Sequence, residues 1–217
     1  MPRLTAIYVD FQSPSSFRAW RWLGAASLRG SVEVRPYSLD SDEDGDGEPT
    51  SPWDRTTPAW GVELLALGEL AREAGGERHL AFIDAAFASV HEHLDDPSSP
   101  EAVLALAANA GLDLEEFTAD SERWRAEVGL WHQEAEDELG VRDVPCLVFD
   151  DEHALLVEFA RDVTDPGGAL RLLADLADLV EQPVTAVHRT AGSALPDPAF
   201  NERHERRRSP RRTTITA

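Results

Sequence analysis

One junction limits what this chain can fold into more than any other feature. Leu4-Thr-Ala-Ile-Tyr-Val-Asp10 is a short apolar run that leads directly into Ser13-Pro14-Ser15-Ser16. A serine N-cap followed by proline is the strongest local start signal for a helix. The hydroxyl accepts an N–H left without a partner, and proline has no N–H to leave over. A strand over about residues 4–10 therefore turns at once into a helix from Pro14 to about Leu28. Far along the chain, Val144-Pro145-Cys146 opens another apolar strand.

The segments between follow from periodicity. Ser31-Val-Glu-Val-Arg-Pro-Tyr-Ser-Leu39 alternates apolar and polar residues and reads as a second strand. A right-handed crossover through the first helix makes these two strands parallel neighbours. Residues 57–140 contain no convincing strand. Trp60 to Ala74, Glu77 to Leu94, Pro100 to Asn109, Leu114 to Thr118 and Ser121 to Leu139 read as helices, with breaks at Gly75-Gly76, Asp95 to Pro100 and Gly111. Trp124, Val128, Trp131 and Ala135 fall on one stripe of the last of these helices. Strands are predicted again over Cys146 to Phe149 and Leu155 to Phe159, with Asp150 to His153 as the turn. A final helix is predicted from about Pro166 to Val180. The order is βαβ, a helical block, then ββα. Residues 1–56 and 141–190 form a discontinuous core, 57–140 a helical insertion, and 191–217 a disordered basic tail rich in Pro, Arg, Ser and Thr.

Composition narrows the function classes. The chain of 217 residues has a net charge of −21, although six arginines stand in residues 201–217. An acidic body repels nucleic acid and anionic membranes, so neither is expected as a partner. No apolar run approaches the roughly 20 residues that span a bilayer. The N-terminus shows no basic segment followed by an apolar one, so no signal peptide is read there and a cytoplasmic location is expected. The single cysteine excludes an intramolecular disulfide. All 20 basic residues are arginine, which reads as the codon bias of a GC-rich, actinobacterial genome.

The N-terminus of a helix favours an anion through its unpaired N–H groups and its macrodipole. A cysteine at such a cap would be a thiolate, the nucleophile of disulfide exchange. Serine cannot take that role near neutral pH, so dithiol exchange is excluded. Ser13 either caps the helix and does nothing more, or its hydroxyl also donates to the thiolate of another molecule.

Asp10-Phe11-Gln12-Ser13-Pro14-Ser15-Ser16-Phe17 resembles the D-F-x-S-P-Y-S-aromatic motif of kappa-class glutathione transferases and 2-hydroxychromene-2-carboxylate isomerases. Their relatives, the DsbA-type oxidoreductases, have D-x-x-C-P-W-C at this place. Gly140-Val-Arg-Asp-Val-Pro-Cys-Leu-Val148 is similar to the G-V-x-G-V-P-T-x-V segment that carries their cis-proline. The order of elements is similar over about residues 4–190. Pro166 through Arg189 also resembles actinobacterial DsbA-like proteins that use a low-molecular-weight thiol. The resemblance implies an α/β fold with a thioredoxin-like βαβ–ββα core and an all-helical, DsbA-like insertion.

It also implies roles. Ser13 would hydrogen-bond the sulfur of a thiol cosubstrate, with Ser16 at the second cysteine position. Val144 would pair its backbone with an extended thiol ligand beside cis-Pro145. Arg161 and Asp162 fall near the cosubstrate's carboxylate or amine end. No tightly bound cofactor is implied; glutathione or mycothiol would serve as cosubstrate for a small-molecule substrate, and a homodimer is implied. Three residues depart from the pattern. Ser15 replaces an aromatic, Asp143 replaces the glycine before Val-Pro, and Ala160 stands where glycine is common. Each changes the volume beside the proposed thiol, and the charge of Asp143 disfavours a nearby thiolate.

Other residues read as structural. Cys146 is expected to be a buried core residue with a raised pKa. Asp40 to Gly45 matches the start of an EF-hand loop, but Ser51 stands where the bidentate glutamate belongs, so a solvated acidic loop is expected. His91 and His93 point about 200° apart on a helix and share no metal face. These two, His79 and His132 are expected at the surface or at caps. The tail arginines are expected in a solvated tail. Arg18 and Arg21, close to Ser13, either attract an anionic substrate or pair with the acidic surface. Two functions remain open: a thiol-dependent isomerase or transferase acting on a small molecule, or a non-catalytic binding module.

Overall fold

β1, Leu4–Val9, is apolar at nearly every position because it lies inside the sheet, with neighbours on both edges. A computed structural model describes residues 1–40, 50–95 and 99–183. The EF-hand-like positions 41–49 and the tail from residue 184 onward lie outside the described residues. The four strands run in the order β2-β1-β3-β4, where β2 is Glu33–Pro36, β3 is Cys146–Phe149 and β4 is His153–Leu156. β1 pairs parallel with β2 and antiparallel with β3, and β3 pairs antiparallel with β4. This is the thioredoxin-like βαβ–ββα arrangement that the sequence led us to expect.

The helices are α1 (Pro14–Ala25), α2 (Trp60–Glu73), α3 (Gly76–Phe87), α4 (Pro100–Asn109), α5 (Leu114–Ala119), α6 (Ser121–Leu139) and α7 (Pro166–Val180). α1 and α7 share one face of the sheet, where the Trp22 Nε1–H donates to the Ala169 carbonyl at 3.1 Å. α6 lies against the other face, packing Ala135 with Tyr8, Tyr37, Val144, Cys146 and Val148. The larger apolar cluster runs without a break from β1 and α1 into α2, α3 and the later helices. α2–α6 therefore bury their apolar stripes against one another and share one core with β1 and α1. No described helix is long and apolar enough to cross a membrane.

Several boundaries differ from the sequence reading; β2, for instance, spans only Glu33–Pro36 of the expected 31–39. β4 starts at His153, not Leu155, because Asp150 and Asp151 both take φ > 0 (51° and 61°) and close a tight turn after Phe149. It leaves the ladder before Phe159, whose N–H donates to Ser15 Oγ at 3.2 Å. α1 stops at Ala25, because Ser27 at φ 58° lets the Leu28 N–H reach back to the Leu23 carbonyl. The helix predicted from Glu77 is α3 followed by a π-helical turn, Ala88–His93, which ends on Leu94 at φ 57°. That turn changes the fate of a histidine. His91 is not at the surface; it is buried, stacked on Phe17 at 5.0 Å, with Nε2–H donating to the Phe11 carbonyl at 2.8 Å. His132 is also largely enclosed, between Tyr37 and Trp53.

Candidate functional site

Register brings the two halves of the site together. Tyr8 stands opposite Cys146 in the antiparallel β1–β3 pair, so the end of β1 and the start of β3 lie at the same end of the sheet. The Ser13 N–H closes a turn onto the Asp10 carbonyl at 3.0 Å. The first turn of α1 and the Val144-Pro145 loop therefore lie at the same end of the sheet. The Val144–Pro145 peptide bond is cis.

Ser13 is the N-cap of α1, and its Oγ accepts the Ser16 N–H at 3.1 Å. The residue is 5% exposed. Its hydroxyl proton has no acceptor among the described residues, which leaves one donor at the positive end of the helix. Ser16 points the other way. It is fully buried, and its Oγ accepts the Asp10 N–H at 3.4 Å. Ser15 accepts the Phe159 N–H through its Oγ at 3.2 Å.

Asp10 belongs to the quoted motif, yet the sequence reading assigned it no role. It is wholly buried. One carboxylate oxygen accepts the Gln12 N–H and the other the Leu39 N–H, each at 2.7 Å. Burial pushes its pKa up from 3.8 to about 7, against the opposing effect of those two N–H donors. The carboxyl thus ties the loop before α1 to the chain leaving β2. A buried acid held by backbone amides leaves no signal in residue spacing.

The Val144-Pro145 half is organised differently. Val144 is buried, and its N–H donates to Asp143 Oδ1 at 2.7 Å. The loop before it is held by Gly140 at φ 65°, by the Val141 N–H on the Ala135 carbonyl, and by Arg142 on Glu136 at 3.1 Å. Glu136 also accepts the Tyr37 hydroxyl at 3.2 Å. Cys146 is buried behind this loop, and burial pushes its thiol up to about 12; the expectation of an inert core cysteine agrees with this.

The basic residues sort clearly. Arg18 does not face outward as an anion-attracting group; it is buried, and Nη1–H donates to the Phe159 carbonyl at 2.9 Å. Arg21 forms a surface ion pair with Asp162 at 2.8 Å, which takes the salt-bridging alternative. Asp162 is thereby brought onto α1, whereas Arg161 has no ion pair among the described residues. An open groove of about 330 Å³ runs beside α1 over Phe17, Trp20 and Phe87, with Arg21, Arg29 and Glu92 at its rim. Ser13 and Pro145 do not line it.

Against known proteins, no family model matches the chain and no curated protein matches it. Solved structures do match. The probable DsbA oxidoreductase of Streptomyces coelicolor superposes with a TM-score of 0.55 at 24% identity, covering 90% of this chain and 98% of that one. Proteus mirabilis DsbA, solved with a non-covalently bound peptide, gives 0.52 at 16% identity over 84% of this chain and 90% of its own. The thiol-disulfide exchange protein alpha-DsbA2 of Wolbachia pipientis gives 0.51 at 15%, over 81% and 80%. These likenesses show the fold: this is a DsbA-like thioredoxin fold, here with a single cysteine and with Ser13 and Ser16 where the dithiol would stand.

Proposed function

We propose that the protein is a thiol-cosubstrate enzyme on a DsbA-like frame, carrying out isomerisation or thiol transfer on a small molecule. One observation carries this: the Ser13 hydroxyl caps α1 through its oxygen and keeps its proton for an incoming group at a helix N-terminus. A thiolate is the anion that such a donor and such a dipole stabilise together. The sulfur would belong to glutathione or mycothiol, in a compartment rich in such thiols, which makes the cytoplasm the expected location. Val144 and Pro145 would border the thiol's backbone. The groove beside Phe17 and Trp20, one turn along α1, offers an apolar floor with a charged rim for the substrate.

Isothermal titration with each thiol tests the reading. Wild type should bind one of them saturably, and Ser13→Ala should weaken that binding by about tenfold, the scale of a lost hydrogen bond to a charged group. Absence of binding to either thiol overturns it. That outcome favours the binding-module alternative, which is supported by the Val144 amide being already hydrogen-bonded within the chain.

A further inference from the structure

We infer that Asp143 is an internal competitor for the Val144 amide, and so selects against ligands that must dock on this loop by backbone pairing. The inference rests on the docking role proposed above for Val144. An amide has one proton to give. Here it is directed at Asp143 Oδ1 at 2.7 Å, a geometry made possible because the carboxylate belongs to the adjacent residue. A ligand's peptide carbonyl is a neutral acceptor, and a carboxylate is roughly twice as strong a partner for the same N–H. An extended ligand must therefore displace the stronger acceptor to install the weaker one, and must do so beside a negative charge.

The surroundings keep this arrangement in place. Gly140 in the left-handed region ends α6, and Val141 is pinned to Ala135. Arg142 is drawn sideways onto Glu136, which also holds Tyr37. The backbone leading to Asp143 is thus fixed at Gly140 and Val141. The Asp143 side chain is exposed, whereas Val144 is 4% exposed. The carboxylate is thus the part of the loop that a ligand meets first. Ligands held chiefly by the sulfur at Ser13 bypass this obstacle, and extended peptides do not.

The test combines amide exchange with titration. In wild type and Asp143→Asn, which keeps an acceptor, the Val144 amide should exchange slowly. In Asp143→Ala it should exchange about tenfold faster, the scale of one lost hydrogen bond. Glutathione, which presents amide carbonyls, should bind Asp143→Ala about tenfold more tightly than wild type, with Asp143→Asn between them. Unchanged Val144 exchange in Asp143→Ala, or glutathione affinity that does not rise, overturns the inference. Binding by wild type that Ser13→Ala loses and Asp143→Ala does not tighten would leave the proposed function standing without the competitor. Glutathione binding by Asp143→Ala alone, with mycothiol bound by none, would support the competitor and overturn the function proposed for the native protein. Binding of neither glutathione nor mycothiol by any variant overturns both.

Discussion

At the start of α1 the Ser13 hydroxyl still has a proton to give, whereas across the end of the sheet the Val144 amide has already given its own to Asp143. Both positions are buried, both lie at the same end of the sheet, and both would face a thiol ligand. One keeps a donor at a helix N-terminus; the other is satisfied from within the chain. The contrast teaches that two buried polar groups at one end of a sheet can differ in whether the chain itself satisfies them. A single side chain, placed next to the amide, is enough.

Asp10 ties the loop before α1 to the chain leaving β2, so changing it should disturb the α1 side of the comparison most severely. Asp10→Ala leaves the Gln12 and Leu39 N–H groups without their carboxylate, and should cost about 3 kcal/mol in urea unfolding. The pH dependence sharpens this. Asp10 holds its proton in the folded protein up to about pH 7 but loses it near 3.8 when unfolded. Over that window the native state binds more protons, so Asp10 contributes stability at low pH that is lost as pH rises from about 4 to 7. Asp10→Asn should remove that slope. His79 works in the opposite sense: burial lowers its folded pKa to about 4, so its contribution is lost as pH falls from 6.5. Comparing unfolding free energies of wild type and Asp10→Asn across this range isolates the carboxyl.

Smaller effects separate the α1 half from the rest. Arg18→Met should cost about 2 kcal/mol, since the Phe159 carbonyl loses a charged donor inside the protein. Ser13→Ala should cost about 1 kcal/mol as a lost N-cap, with Ser13→Gly costing only a few tenths. Urea midpoints at constant m-value measure both. If Ser13→Ala abolishes thiol binding while Asp10→Asn, still folded, keeps it, the anion site belongs to the α1 cap alone. Arg21→Ala should change stability by less than about 0.5 kcal/mol, because its pair with Asp162 is solvated. A larger loss on thermal melting would show that this pair braces the groove beside Phe17.

Several features of the site could be read before any coordinates. The cap at Ser13 is a contact between residues three apart, and proline at N1 announces it. The order of strands and helices follows from short-range periodicity, and the segment around Val144-Pro145 carries its own motif. Other features resisted such reading. Arg18 looks like a surface cation on an exposed helix face, but Phe159, far away in the chain, turns it inward. Ser15 looks like a lost aromatic, yet it holds the amide at which β4 leaves the sheet. His91 reaches the core through a π-helical turn that helical spacing does not predict. The Asp143 contact joins neighbouring residues, but spacing alone does not say which way its exposed carboxylate turns.

By itself the amino-acid sequence determined where helices begin, which strands alternate, and that no dithiol exists, because caps, periodicity and residue identity act over a few positions. Only the tertiary structure decided which polar groups stay free, since a donor's partner is set by whatever the fold brings within 3 Å of it. Among the described residues an acceptor stands beside the Val144 amide and none beside the Ser13 hydroxyl, so Ser13 keeps a proton and Val144 does not.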